Sequence, residues 1–200
     1  MKRTLLNGFC LSLLIIFASA CSPTYKVSLK PVLLPQQKYQ WEGDLNGVES
    51  TKKFYSIKLA SSQIEPHFLH AKVVNLDNEH LHISTENFRA YCEERNLYVF
   101  SAEESLDQYK KQTELDFRGL NPSDATAIAS LAIQSGYVEK RNAEINGFSS
   151  RLFRRQSLPP QYQYFGIFQI EYPRCEKKLI VEVLLPKESH VFEFKVNKFN

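Results

Sequence analysis

From Lys53 onward apolar and polar residues alternate with a period of two, the signature of strands with one buried face. "FYSIKLA" sets Tyr55, Ile57 and Leu59 against Phe54, Ser56 and Lys58. "HFLHAKVVNL" places Leu69, Ala71 and Val73 on one face, and "EHLHIS" places Leu81 and Ile83 on another, with Asp77 and Asn78 between as turn formers. These two segments are expected to form a hairpin in which Val74 faces His82. "FRAYCEERNLYVF" reads as further strand. "QYQYFGIFQIEY" aligns Tyr162, Tyr164, Phe168, Ile170 and Tyr172, and Gly166 within that series marks a bulge or a close backbone approach. "KKLIVEVLLP" and "HVFEFKVNKF" supply two more strands. At least six strands without obligatory βαβ crossovers predict a mainly β fold, an antiparallel sandwich.

One segment departs from this period. After Asn121-Pro122, Ser123 reads as an N-cap, Ala127, Ile128, Leu131 and Ala132 fall at helical spacing, and Gly136 is expected to close the helix. "VEKRNAEINGFSSRLFRR" reads as a second helix, weakened by Gly147. A helical insertion at 122–156 is thus expected within one sandwich domain spanning 39–200, a length that suits a single core. Such an insertion either carries function on a rigid scaffold or caps an open sheet end. Phe148, Arg151 and Phe153 are the partner-binding candidates, because aromatic and arginine side chains anchor interfaces; the same residues also suit packing contacts.

The N-terminus has a different pattern. Lys2 and Arg3 precede an apolar run from Phe9 to Ala20. A dozen residues at about 1.5 Å each fall far short of a bilayer core of about 30 Å, so the run predicts a secretory signal over 1–20 rather than a membrane span. Pro23, Pro31 and Pro35 punctuate the next stretch, which reads with Cys21 as a semi-extended tether over 21–38. Subtracting Lys2 and Arg3 from the formal charge of +3 leaves +1, no basis for nucleic-acid binding. The one local basic run, "RLFRR" at 151–155, suits a solvated helix face or contact with anionic headgroups.

Ala18-Ser19-Ala20-Cys21 resembles the lipobox of bacterial lipoproteins. That resemblance implies cleavage before Cys21, acylation of its thiol, and a lipid bilayer as partner; Ser22 in place of Asp implies transfer to the outer membrane. The alternative is ordinary cleavage after Ala20 that leaves Cys21 unmodified. With Cys10 in the signal and Cys21 in the lipobox, Cys92 and Cys175 remain. In an oxidising compartment they form a disulfide, worth about 4 kcal/mol on the chain-entropy model, or else two separately buried thiols. Their spacing excludes a C-x-x-C redox centre.

Histidines raise a metal hypothesis, but His67 and His70 are three apart and point to opposite faces of a strand. His80 and His82 lack an obvious third ligand. No metal or cofactor is therefore expected; the alternative, a periplasmic metal-dependent protein or enzyme, requires at least two of these four histidines to converge with a carboxylate such as Glu86. Hydrolase-elbow, zinc-protease, phosphate-loop and dinucleotide motifs are absent from the sequence. Glu93-Glu94 and Glu103-Glu104, taken as strand residues, face apart and read as solvated.

"VVNLDNEHLHISTENFRAY", "SLPPQYQYFGIFQIEY" and "FEFKV" resemble segments of telokin-like, immunoglobulin-like exported domains. The resemblance implies an immunoglobulin-like sandwich, a binding or envelope-associated module without catalytic residues to carry over. The expectation is therefore a non-enzymatic envelope lipoprotein that binds a protein partner or ligand.

Overall fold

The computed structural model describes residues 26–42, 45–62, 65–118 and 127–199. Two five-stranded antiparallel sheets face each other. Sheet A has the order β1 (Lys26–Val32), β12 (Ser189–Phe199), β11 (Lys178–Leu184), β7 (Phe88–Cys92), β8 (Arg95–Leu97). Sheet B has the order β10 (Gln163–Gln169), β5 (Phe68–Asn75), β4 (Tyr55–Ser61), β3 (Leu45–Thr51), β2 (Gln37–Glu42). A short third sheet pairs β6 (Leu81–Ile83) with β9 (Gln156–Leu158). The mainly β architecture, a sandwich with a helical insertion, is the one that the alternation predicts.

Alternation explains the core directly. Leu69, Ala71 and Val73 from β5, Leu179, Val181 and Val183 from β11, and Phe192, Phe194 and Val196 from β12 are buried between the sheets. Phe88 packs at 4.4 Å against Phe168 and edge-on at 5.2 Å against Phe153. Each such ring contributes roughly 2–3 kcal/mol by leaving water. Gly166 is a close backbone approach: Phe153 passes directly over it.

Several expectations are corrected. The tether over 21–38 shortens, because Lys26–Val32 form an edge strand paired with β12 from Lys26↔Phe199 to Val32↔Glu193. Val27, Leu29 and Pro31 point into the core, and an edge position tolerates the missing proline N–H. The β5/β6 hairpin does not form. Val74 pairs with Ser56 and Gln163, while His82 pairs with Ser157, so β5 takes its neighbours from β4 and β10 instead.

The insertion is also larger than expected. Its helices are α1 (Ala102–Arg118) and α2 (Ala127–Arg151), bounding it near 102–151 rather than 122–156; Ser123 lies outside the described residues. Glu103 and Glu104 lie in the first turn of α1, not on a strand. Glu104 completes a capping box, its amide donating to Ser101 Oγ (3.1 Å) while the Ser101 amide donates to its carboxylate (2.8 Å). Gly136 does not stop α2. A glycine inside a helix costs only about 1 kcal/mol, which a helix of 25 residues absorbs. The base of this helical hairpin is fixed on the outer face of sheet B, where Phe148 stacks on Tyr109 (4.2 Å) and meets Phe68 edge-on (5.4 Å).

Candidate functional site

Three features concentrate the polar chemistry of the described residues. At one end of the sandwich the β11–β12 turn docks against the opposite sheet. Glu188 Oε1 accepts from the amides of Tyr55 (2.9 Å) and Phe54 (3.3 Å), and lies 3.3 Å from His190 Nε2. His190 Nδ1 lies 3.0 Å from Ser50 Oγ across the gap between sheets. Lys187 pairs with Asp77 and, at 3.1 Å, with Glu79. The hydrogen bond from Lys187 holds the Asp77 carboxyl below its ordinary value.

Ser50, His190 and Glu188 are the residue types of a hydrolytic triad, but their surroundings are those of a clasp. His190 is fully buried, Ser50 nearly so, and the Glu188 oxygen facing the imidazole is already committed to two backbone amides. The pieces come from β3, the β11–β12 turn and the start of β12, so what they join is sheet to sheet.

Burial lowers the His190 pKa below its ordinary value, with Glu188 opposing and Lys52 assisting. The folded protein therefore takes up this proton less readily than the unfolded chain. The stability so contributed is complete above the unfolded value of about 6.5 and is lost as pH falls from there towards the lower folded value. His67 and His70, also lowered chiefly by burial, act in the same sense. Thermal unfolding followed from about pH 7.5 down to about pH 5.5 is expected to show a falling melting temperature, with a shallower fall in His190→Gln. An equal slope in that variant would remove His190 from the account.

At the opposite end Cys92, closing β7, is joined to Cys175 by a disulfide with a Cα–Cα distance of 4.9 Å. Both are buried in the core. Glu93 follows at positive φ (51°) in the Glu93-Glu94 turn, and its carboxylate accepts from the amides of Lys177 (2.9 Å) and Lys178 (3.2 Å). Those backbone bonds hold its pKa below the usual carboxylate value. Glu93 is exposed, as expected from the sequence, and serves in addition as a structural acceptor for the chain that enters β11.

The third feature is a cleft of about 620 Å³ on the flank where β1 and β2 are the sheet edges. Leu29 and Pro31 form its floor, and Lys30, Asn46 and Asn197 give it polar groups. Tyr39 and Phe199, each 45% exposed, form its aromatic rim. The Tyr39 hydroxyl donates to Pro31 O at 3.4 Å.

The residues singled out from the sequence are placed as follows. Phe148 and Phe153 are buried, the first under α1 and the second in the main core, so neither is an exposed anchor; Arg151 is exposed, with Nε donating to Gly147 O. The rest of "RLFRR" is dispersed: Leu152 is buried, Arg154 donates to Ser149, and Arg155 pairs with Glu86 at 3.1 Å. Burial follows from two local facts. Leu152 and Phe153 leave the helix to run beside β10, the Phe153 amide donating to Ile167 O at 2.7 Å.

The histidines are scattered. His67 lies against Phe68 and Tyr172, His70 faces Phe165, and His80 lies 3.3 Å from Ser157 Oγ. Among the described residues, the one group of three histidine, cysteine or acidic donors within 4.8 Å of one another is Cys92, Glu93 and Cys175. Two of its three sulfur and oxygen donors are bonded to each other in the disulfide. The clasp was not legible in the sequence, because Ser50 lies 140 positions from His190 even though Glu188 and His190 are close in the chain; the S-A-E-E capping box was a signal available at 101–104.

The architecture defines a two-layer antiparallel β-sandwich, disulfide-tied, with a helical hairpin inserted between β8 and β9. No helix among the described residues is long and apolar enough to cross a membrane. No protein-family model, no curated protein and no solved structure matches the chain.

Proposed function

We propose that this protein is a lipid-anchored lipoprotein of the bacterial cell envelope, with the outer membrane as its site, and that its sandwich is a non-catalytic binding module for an envelope protein or ligand. The observation that carries the reading is the short interval between Cys21 and the fold: β1 begins five residues later, at Lys26. Five residues reach at most about 18 Å, so acyl chains on Cys21 would hold the sandwich against the membrane surface. Two chains suffice for durable anchoring, since each buried methylene adds about 0.8 kcal/mol.

Two further observations support it. The Cys92–Cys175 disulfide suits an oxidising compartment. The cleft on the β1/β2 flank offers a concave surface of ligand size, with aromatic and amide side chains together. Intact mass of the membrane-extracted protein, with and without reduction before alkylation, tests the anchor. The expected species starts at Cys21, bears added acyl mass, and gains two alkylated thiols only after reduction. A species without acyl mass would overturn the anchor and leave an exported, unanchored domain.

A further inference from the structure

Register places like charges side by side on the outer face of sheet A. Lys30 pairs with Lys195, and Lys195 pairs with Lys178, so three lysines cross three adjacent strands in one row. Neighbouring strands lie about 4.8 Å apart, and like charges directly opposite one another destabilise a sheet. Only the third is compensated: Lys178 pairs with Glu193 at 3.3 Å. Lys30 and Lys195 are exposed and have no ion-pair partner among the described residues. Lys26, also exposed, lies on the same face opposite Phe199.

We propose that this lysine face, which includes the strand that begins five residues after Cys21 in the chain, lies against the anionic headgroups of the membrane that holds the anchor. The inference rests on the lipoprotein reading and adds an orientation to it. Two observations choose lipid as the occupant. The first is charge: two of the row's three cations, Lys30 and Lys195, lack a counter-ion among the described residues, and a lysine beside an anionic surface gains about fivefold in binding, the equivalent of about 1 kcal/mol. The second is reach: Lys26 begins the fold only five residues from the acylated position, and Lys30 follows two pleat repeats later along the same edge strand. Phe199, half exposed beside Lys26, supplies an apolar group at the same level. The face is rigid where it needs to be, because the disulfide and the Glu93 carboxylate fix the segment that leads into Lys178.

The test is amine labelling of the mature lipidated protein reconstituted in vesicles of phosphatidylcholine alone or of phosphatidylcholine with phosphatidylglycerol. Lys30 and Lys195 are expected to label about fivefold more slowly in the anionic vesicles, and to recover in high salt, which screens such contacts. Lys111 and Lys140, exposed on the helices, serve as controls and should label alike in both. In Lys30→Gln/Lys195→Gln, whose exposed substitutions relieve repulsion rather than disturb the core, the protection of Lys26 is expected to disappear. Equal labelling of Lys30 and Lys195 in both vesicles, in protein whose mass shows the acyl chains, would overturn the orientation and leave the anchor standing. Protein that bears no acyl mass and fails to enter either vesicle would overturn both.

Discussion

Replacing Gly166 by alanine is expected to lower stability by about 3 kcal/mol, at the upper end of what overpacking a core costs. A Cβ at this position would lie 2.7 Å from the Cα of Phe153 and 3.0 Å from its Cβ and ring. The obstacle is backbone, not the far end of a side chain. That backbone is itself tied down: the Phe153 amide donates to Ile167 O at 2.7 Å, and the next amide, of Arg154, donates to the Tyr164 hydroxyl at 2.9 Å. Relief of the clash must lengthen these bonds or displace the Phe153 ring from Phe88 and Tyr164. For a domain of this size the melting temperature should drop by roughly 6–12 °C. Gly147, by contrast, lies in α2 with nothing within 4 Å of a notional Cβ. Gly147→Ala should raise stability by about 0.5–1 kcal/mol, through helix propensity alone. Denaturant unfolding of the pair decides the point: if both alanines shift the midpoint in the same direction, close approach is not what Gly166 is for.

Loss of the disulfide is the second large effect. Cys92 and Cys175 are 83 residues apart in the chain, and closing a loop of that length restricts the unfolded ensemble by about 4 kcal/mol on the chain-entropy model. The bond also fastens the end of β7 to the segment entering β11, beside a Glu93 carboxylate that already holds Lys177 and Lys178. Alanine at both positions is the cleaner variant, since serine would leave hydroxyls in an apolar core. Cys92→Ala/Cys175→Ala is expected to unfold about 3–4 kcal/mol more easily than the oxidised protein and to match the wild type under reducing conditions within about 1 kcal/mol. A double variant as stable as the oxidised protein would mean that the bridge constrains nothing.

The interior of the sandwich was largely legible in advance. Alternation picked out Leu69, Ala71 and Val73 and, of the series around Gly166, Tyr164, Phe168 and Ile170, whereas Tyr162 and Tyr172 of that series are exposed; the cysteine count left Cys92 and Cys175 as the available pair. Elsewhere a local signal was overlaid by a stronger-looking one. Prolines hid the alternation of Val27, Leu29 and Pro31, although an edge strand accommodates Pro31 without loss. The glycine at 136 looked like a stop, yet α2 continues through it. Phe148 and Phe153 were chosen as anchors by residue type, and residue type does not distinguish an interface from a core.

What the sequence determined by itself is local: most of the strands from Lys53 onward, which of their residues face inward, and an N-terminal pattern that resembles an export signal followed by a lipobox-like Cys21. Periodicity sets the face a side chain takes because it depends only on the geometry of one strand. It carries no information about the neighbour across the ladder, which depends on burying many faces at once. Only the tertiary structure decided that β5 turns from β6 to β4 and β10, that His190 meets Ser50 from the opposite sheet, and that Lys30, Lys195 and Lys178 stand in one row. The meetings of His190 with Ser50 and of Lys30 with Lys195 join residues more than a hundred positions apart, and such long-range pairing is what turns a set of amphipathic strands into one folded surface.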